Sequence, residues 1–228
     1  MPPASGRREP SDGGSGRDAL LEFDEKLRRT WAILAGIDEA GRGPLAGPLV
    51  AAAVCLPAGM DLPDVDDSKK LTDASRRRAL PRILEVCLGH GIGIVEPAEI
   101  DSNGMSAAVR EAFERAAASC SSSCPTPPAV YVVDGLPVKG LSFQAQFVVK
   151  GDRRSLSAAA ASVIAKVTRD DIMLEAHLQW PQYGFSANKG YGSPAHLRAL
   201  GRFGPCPIHR MSFHPVSSPG LFDEHRLS

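Results

Sequence analysis

Long apolar runs are missing from this sequence of 228 residues, and cysteine is scarce and irregularly spaced. No apolar run approaches the roughly 20 residues that a membrane-spanning helix needs, and the N-terminus has no apolar signal-peptide core. The five cysteines are odd in number and form no disulfide framework. Cys120 and Cys124 have the spacing of half a zinc site, but no second pair accompanies them. We therefore expect reduced thiols and a cytoplasmic protein that does not enter the membrane.

The overall charge is balanced, because 26 Lys and Arg face 26 Asp and Glu. Its distribution is uneven. Residues 31–134 carry 9 basic and 14 acidic side chains, a net charge of −5, whereas residues 135–215 carry 10 basic and 4 acidic ones, a net charge of +6. An acidic part that can hold cations and a basic part that can hold phosphates are typical of a nuclease. The alternative is chance clustering of solvated charge.

Composition and periodicity divide the chain into three segments. Residues 1–18, rich in Gly, Ser, Pro and charge, are expected to form a disordered tail; residues 19–216 form one domain, and residues 217–228 form a flexible tail. Alternating strand and helix patterns predict an α/β fold with one mixed sheet. The predicted strands are 32–37, 49–56, 92–95, 130–133 and 142–149. The predicted helices are 20–31, 72–88 (kinked by Pro81), about 105–116, 156–179 and 193–203.

Two adjacent carboxylates, Asp38 and Glu39, follow the first predicted strand and precede Gly41-Arg42-Gly43. Neighbouring side chains on a strand point to opposite faces, so both acids can serve one site only if the chain turns there. The glycines permit such a turn and let the backbone approach a ligand closely. This stretch predicts a divalent metal held against an anionic substrate.

Two further acids, Asp134 and Asp152, stand beside a glycine at the end of a predicted strand. In α/β sheets the ligand crevice lies outside the carboxyl ends of the central strands. Four carboxylates repel one another strongly unless cations are present. Together with Asp38 and Glu39, these acids therefore predict two Mg²⁺ or Mn²⁺ ions acting on a phosphodiester. The alternative is that each acid is a turn or helix-cap residue.

Eight motifs occur in an order that resembles the type 2 ribonucleases H, the bacterial ribonuclease HII family. They are IDEAGRGPLAGP, DSKKL, VVDG, VVKGD, ASVIAKVTRD, PQYGF, NKGY and HRMSF, and they span roughly residues 34–216. The resemblance implies a ribonuclease H-like fold, with a central mixed five-stranded sheet flanked by helices. It also implies a metal-dependent endonuclease that cuts the RNA strand of RNA–DNA hybrids, or 5′ of ribonucleotides embedded in duplex DNA, leaving 5′-phosphate and 3′-hydroxyl ends.

The same resemblance implies roles for individual residues. The matches to the family's metal ligands are Asp38, Glu39, Asp134 and Asp152, and Asp170 is the alternative for the fourth. Gly41, Arg42 and Gly43 match the loop that contacts the ribonucleotide's 2′-hydroxyl group, and Tyr191 matches the tyrosine that packs on the sugar. The lysines expected to bind phosphates are Lys69, Lys150, Lys166 and Lys189; the alternative is a solvated basic face. The partners would be RNA–DNA hybrid and ribonucleotide-containing duplex, bound by a monomer.

Three other functions compete for the same residues. Gly41 to Ala46 fits a loose dinucleotide-binding fingerprint, which requires a helix directly after the glycines. Ser162 and Lys166 have the spacing of a Ser-Lys hydrolytic dyad. A non-catalytic nucleic-acid-binding module is the third, although it would not need four strand-end acids.

Two features outside the acid motifs complete the predictions. The tail segment Pro219–Phe222 resembles clamp-binding peptides that end in Leu-Phe, without their glutamine, so a sliding clamp is a candidate partner. The histidines are expected to be structural or exposed, and His209 in HRMSF has the best case for a specific role.

Overall fold

The computed structural model describes residues 16–63, 65, 71–151 and 154–218. The strands are β1 (Leu34–Ala40), β2 (Leu49–Cys55), β3 (Gly89–Val95), β4 (Val130–Asp134) and β5 (Ala145–Val148). The helices are α1 (Gly16–Arg28), α2 (Asp73–Val86), α3 (Pro97–Asn103), α4 (Met105–Ser123), α5 (Leu156–Gln179), α6 (Phe185–Asn188) and α7 (Pro194–Phe203). A short 3₁₀ turn at Pro181–Tyr183 precedes α6.

The five strands form one sheet in the order β3-β2-β1-β4-β5. β1 pairs antiparallel with β2, and β2 with β3. On the other side, β1 pairs parallel with β4, and β4 with β5. The predicted α/β fold with one mixed five-stranded sheet is confirmed.

The end of β1 differs from the prediction. We expected the strand to stop at Ile37 and the chain to turn at the acids, but β1 continues to Ala40. The reason is the hairpin with β2, in which Asp38 pairs with Ala52 and Glu39 with Ala51. The turn therefore lies beyond Ala40, in the Gly41-Arg42-Gly43 segment.

Helices pack on both faces of the sheet. An apolar cluster lies between one face and α4, and it includes Phe113 and Ala116 of the helix. The alanine-rich start of α5 covers the opposite face so closely that a Cβ atom on Gly36 would lie 2.0 Å from the Ser157 carbonyl carbon. Small side chains on both elements allow this approach, and they place α5 directly behind the end of β1.

Local capping signals mark the starts of three helices. Thr72 caps α2 by accepting a hydrogen bond from the Ser75 N–H, and Ser193 caps α7 in the same way. Helix α2 includes Pro81 within its length. Helix α3, which was not predicted, is only one turn or two long and begins with a capping box between Glu96 and Glu99.

All five cysteines are free thiols, and the sulfur atoms of Cys120 and Cys124 lie 4.0 Å apart. No helix in the described part of the chain is long and apolar enough to cross a membrane.

Candidate active site

Asp38 and Asp134 occupy neighbouring positions at the carboxyl ends of two parallel strands. The β1–β4 ladder includes the pair Ile37 with Val133, and the two acids come next on each strand. Side chains alternate along a strand, so both acids share a face with Gly36 and Val132. That face is the one covered by α5. The two carboxyl groups are therefore brought to one edge of the sheet by backbone pairing.

Glu39 alternates to the other face of β1 but still reaches the same site. Its carboxylate lies 2.6 Å from Nε of Arg42, and both residues line the cavity that Asp38 lines. A turn immediately after Ile37 is therefore not needed to bring the two acids together. A position at the end of the strand is sufficient.

The cavity at this edge of the sheet has a volume of about 460 Å³. It combines acidic, basic and aromatic side chains with the glycine-containing segment. Its lining residues are Asp38, Glu39, Ala40, Gly41, Arg42, Gly43, Arg76, Asp134, Ser162, Lys166, Arg169 and Tyr191. Most residues singled out from the sequence thus meet in one place.

Asp38 is a buried acid in the wall of this cavity. Burial raises the pKa of its carboxyl group well above the ordinary value, and the neighbouring charges of Glu39 and Asp134 raise it further. Hydrogen bonds from the Ser162 hydroxyl and the Glu39 N–H act in the opposite direction. The hydrogen bonds around Asp38 do not fully offset the effects of burial and of its acidic neighbours, so a cation bound here would stabilise the ionised carboxylate.

Asp38, Glu39 and Asp134 line the same cavity, but their carboxylates have separate contacts. Among the described residues, no three His, Cys, Asp or Glu side chains form a group that could hold a metal ion. Glu39 faces Arg42, and Oδ1 of Asp134 accepts a hydrogen bond from the Gly151 N–H. The fourth predicted ligand, Asp152, lies outside the described residues, as does Lys69.

Helix α5 contributes Ser162 and Lys166 to the cavity wall. The Lys166 ammonium pairs with the carboxylate of Asp170, one turn further along the helix. Asp170, the alternative fourth ligand, is itself buried and is not among the residues that line the cavity. Since Ser162 bonds to Asp38 and Lys166 to Asp170, the pair is not arranged as a Ser-Lys dyad.

The Gly41-Arg42-Gly43 segment is fixed from behind by Arg210, which is fully buried. Its guanidinium donates to the carbonyl oxygens of Gly41 at 2.6 Å, Arg42 at 3.0 Å and Gly47 at 2.8 and 3.0 Å. Burial, followed by the charge of Arg169, lowers the pKa of Arg210 to about 10. The side chain is therefore still charged at neutral pH.

Tyr191 lies across the cavity from this segment. Its side chain is half exposed, and the Arg169 guanidinium carbon lies 6.0 Å from the centre of its ring. A Cβ atom on Gly43 would lie 3.9 Å from Cε1 of Tyr191. The glycine segment and the tyrosine ring thus face each other at the opening of the cavity.

Comparison with known proteins identifies the family. Residues 35–216 match the family model described as Ribonuclease HII. The chain belongs to the ribonuclease HII family. A ribonuclease HII from Syntrophobacter fumaroxidans is 49% identical over 198 residues, which is 86% of this chain and 83% of the relative. Membership of this family confirms the expectation that the chain is a ribonuclease H enzyme.

Solved structures with the same architecture support the assignment. The ribonuclease H2 of Pyrococcus horikoshii OT3 is 26% identical, with a TM-score of 0.68 over 83% of this chain and 98% of that one. The ribonuclease HII of Archaeoglobus fulgidus, solved in a complex with PCNA, is 25% identical, with a TM-score of 0.65 over 79% of this chain and 95% of that one. The expected ribonuclease H-like fold is confirmed.

Two competing functions are excluded, one by the fold and one by the family. In this ribonuclease HII-family chain the segment after the glycines leads into β2 (Leu49–Cys55), so the helix that a dinucleotide fingerprint requires is not there. A non-catalytic binding module is excluded because the family is one of ribonuclease H enzymes.

Two of the predicted phosphate-binding lysines lie outside the cavity wall. Lys150 is exposed, at a φ of 58°. Lys189 has a φ of 49°, and its ammonium donates to the Ser186 carbonyl. Of the predicted lysines that the structure describes, Lys166 lines the cavity.

The sequence reasoning missed the two buried arginines that shape this site. Arg169 on α5 donates to the carbonyl oxygens of Pro48 at 3.0 Å, Ala46 at 3.1 Å and Lys189 at 3.0 Å. With Arg210 it ties the glycine segment to the loop that carries Tyr191. The available signal was position, because Arg169 lies in the ASVIAKVTRD motif and Arg210 in HRMSF; their burial could not be read from it, although a buried charge is found only where it is paired or hydrogen-bonded.

Proposed function

We propose that this chain cuts the RNA strand of RNA–DNA hybrids, and cuts 5′ of single ribonucleotides embedded in duplex DNA. The bond between phosphorus and the 3′-oxygen of the preceding nucleotide breaks as water adds to phosphorus. A proton from that water goes to the leaving oxygen, so the ends are a 3′-hydroxyl and a 5′-phosphate. The observation that carries the proposal is the pairing of Asp38 and Asp134 at neighbouring strand ends, in one cavity with the glycine segment and Tyr191.

Asp38, Glu39, Asp134 and Asp152 would hold two divalent ions, Mn²⁺ or Mg²⁺. The raised pKa of Asp38, caused by burial and by its acidic neighbours, supports this assignment because a cation would relieve the repulsion. When bound, such ions lower the pKa of water and stabilise charge on the leaving oxygen. Glu39 would exchange its contact with Arg42 for a contact with the metal.

The glycine segment and Tyr191 would select the ribonucleotide. The backbone of Gly41-Arg42-Gly43 can approach a sugar closely because Gly43 has no side chain and its surroundings are open towards Tyr191. The 2′-hydroxyl group is the feature that distinguishes RNA from DNA. The exposed ring of Tyr191 offers a flat apolar surface for the adjoining sugar.

Basic side chains would bind the phosphates of the duplex. The candidates are Lys69, Lys150, Lys166 and Lys189. Phosphate contacts release counterions, so duplex binding should weaken as salt rises. Replacing Lys150 with Ala should reduce the slope of log affinity against log salt by roughly 1 for one lost contact.

A DNA duplex carrying one ribonucleotide is the direct test. We expect cleavage with Mn²⁺ or Mg²⁺ and none with EDTA. Sequencing of the products would locate the cut and identify the chemistry of both ends. Asp134→Asn removes the negative charge that would hold a cation, so it should abolish cleavage. It keeps an oxygen that can accept from the Gly151 N–H, so hybrid binding should remain largely intact. Turnover by this variant in Mn²⁺ would contradict the metal role.

The C-terminal segment Pro219–Phe222 is proposed as the contact with a sliding clamp. The support is its Leu-Phe ending and the clamp complex of the Archaeoglobus relative; the segment itself lies outside the described residues. A pull-down with the clamp should succeed for the full chain and fail for a chain that ends at residue 216. Equal capture of both would overturn the assignment.

We further propose that the protein acts as a monomer in the cytoplasm. Five free thiols are compatible with a reducing compartment. Sedimentation of the purified chain would test the oligomeric state, and fluorescence of a tagged chain in cells would test the location.

A further inference from the structure

Two buried histidines lie next to each other, and one of them, His196, contacts the backbone of Tyr191. His196 is on α7, His209 is in the segment that follows it, and both are almost fully buried. Their Nε2 atoms are 3.0 Å apart. The rings pack against Tyr183 and Phe185 in edge-on and tilted contacts. A buried imidazole pair of this kind has to satisfy its polar atoms internally.

The hydrogen bonds determine which nitrogen of each ring carries the proton. Nδ1 of His196 lies 2.8 Å from the Tyr191 carbonyl oxygen, which can only accept, so this nitrogen is protonated. Nδ1 of His209 lies 2.9 Å from the Cys206 backbone N–H, which can only donate, so this nitrogen is bare. The contact of the same atom with the Cys206 carbonyl is longer, at 3.3 Å. Neutral His209 therefore carries its proton on Nε2 and donates it to Nε2 of His196.

The result is a directional chain from the Cys206 N–H through both rings to the Tyr191 carbonyl. Tyr191 has two further backbone bonds, because its N–H donates to Asn188 at 2.9 Å and its carbonyl also accepts from Ser193 at 2.8 Å. Its ring, in contrast, is half exposed. The orientation of the ring thus depends on how firmly the peptide behind it is held.

We propose that His196 and His209 are positioning residues for Tyr191, which hold its backbone so that the ring faces the glycine segment. The inference rests on the proposed role of Tyr191 at the sugar of the substrate. His209 also precedes Arg210, whose guanidinium holds Gly41 and Arg42. One dipeptide therefore supports both sides of the cavity opening, and a shift of either histidine would change the gap that receives the sugar.

An extra proton on this pair would break the chain. Protonation of His196 would place two N–H groups against each other across 3.0 Å. Burial lowers the pKa of His196, and burial together with the charge of His196 lowers the pKa of His209 to about 4. The pair therefore remains neutral, with the two tautomers fixed, at neutral pH.

Nitrogen-15 NMR of histidine-labelled full-length protein tests the chain without any activity measurement. We expect His196 to be the Nδ1–H tautomer and His209 the Nε2–H tautomer at pH 7, assigned by the loss of each signal in His196→Asn and His209→Gln. The same tautomer in both rings, or a positively charged ring, would overturn the proposal. This readout stays informative even if Tyr191 proves irrelevant to cleavage.

A double-mutant cycle then tests the link to Tyr191. His196→Ala should lower kcat/KM for a duplex with one ribonucleotide by ~10-fold, as expected for a small misplacement. In a Tyr191→Ala background the same change should have little further effect, because there is no ring left to position. Fully additive losses would contradict positioning. If Tyr191→Ala alone has no effect, the proposed role of Tyr191 fails, and the NMR result still decides the chain.

Conservative variants separate positioning from general damage. His209→Gln places an amide N–H near the original Nε2, so it should retain most activity, whereas His209→Leu should resemble His196→Ala. His196→Asn keeps a donor towards the Tyr191 carbonyl and should fall between the wild type and His196→Ala. Equal losses in His209→Gln and His209→Leu, at matched thermal stability, would overturn the proposal.

Discussion

The guanidinium of Arg210 donates a hydrogen bond of 2.6 Å to the carbonyl oxygen of Gly41, although the two residues are 169 positions apart in the sequence. Gly41 has a φ of 100°, in the region that glycine tolerates best. The turn after β1 is therefore shaped by a residue near the other end of the domain. Its geometry depends on tertiary structure as well as on its own glycines.

Replacing Arg210 with Met should damage both stability and substrate selection. The change leaves the carbonyl oxygens of Gly41, Arg42 and Gly47 without this donor, and each buried group left unsatisfied costs about 1–3 kcal/mol. We expect a large fall in the free energy of unfolding and loss of cleavage at single ribonucleotides. Urea unfolding and single-turnover cleavage measure the two effects. Arg210→Lys keeps the charge but not the planar fork, so it should recover only part of either.

Replacing Asp38 with Asn should abolish cleavage and stabilise the metal-free protein. Burial and the charges of Glu39 and Asp134 oppose ionisation of Asp38, and Asn removes that unfavourable charge. It keeps an oxygen for the Glu39 N–H. We expect a gain on the order of 1 kcal/mol in EDTA, measured by thermal melting. A lower melting temperature than the wild type would contradict this account.

Asp101→Asn is the matched control with the opposite sign. Burial works against the ionised form of Asp101, but hydrogen bonds from Ser212 and Met211 outweigh it and lower its pKa. Here the carboxylate is stabilised by the fold. Its neutralisation should therefore lower the melting temperature under the conditions in which Asp38→Asn raises it.

Alanine at two glycines should separate folding from catalysis. A Cβ atom on Gly36 would lie 2.0 and 2.2 Å from the backbone of α5, so Gly36→Ala should force α5 off the sheet and cost about 3 kcal/mol or more. A Cβ atom on Gly43 has only Tyr191 near it, at 3.9 Å. Gly43→Ala should melt like the wild type yet cut single ribonucleotides poorly, as measured by circular dichroism and by kcat/KM. Wild-type cleavage by Gly43→Ala would contradict a close approach of the sugar to this backbone.

Features encoded over short stretches of sequence could be predicted well. Helix α5 has the predicted bounds, Leu156–Gln179, because a sustained apolar pattern begins at a capping serine, Ser155. Helix α7 follows a Ser-Pro start. The acids Asp38 and Asp134 could be recognised because apolar strand patterns end beside them.

Features that depend on contacts between distant parts of the sequence could not be predicted. The continuation of β1 to Ala40 depends on its hairpin partner β2, and the acids alone suggested an earlier turn. Arg169 and Arg210 act on backbone carbonyl oxygens more than 100 positions away, and no local pattern indicates which carbonyl a guanidinium will find. The proton order in the histidine pair follows from the Tyr191 carbonyl and the Cys206 N–H, but the contact between the two rings, 13 positions apart, comes from the fold.

The histidine pair also predicts how stability changes with pH. The pKa of His209 is lowered to about 4 by burial and by His196, whereas an unfolded histidine titrates near 6.5. Between these values the unfolded state binds more protons than the folded state, so stability is complete above pH 6.5 and falls as the pH drops towards 4. Tyr183 and Cys206, which contact the pair, have raised pKa values because of burial and stay neutral over this range.

The loss attributable to His209 should reach about 3 kcal/mol near pH 4. Carboxylates titrate in the same range, so the informative quantity is the difference between wild type and His209→Gln, in which they cancel. We expect the free energy of unfolding of the wild type to fall more steeply than that of the variant between pH 6.5 and 4, in urea titrations at several pH values. Parallel curves would mean that His209 titrates with an ordinary pKa in the folded protein, and the account of a buried imidazole that resists protonation would have to be abandoned.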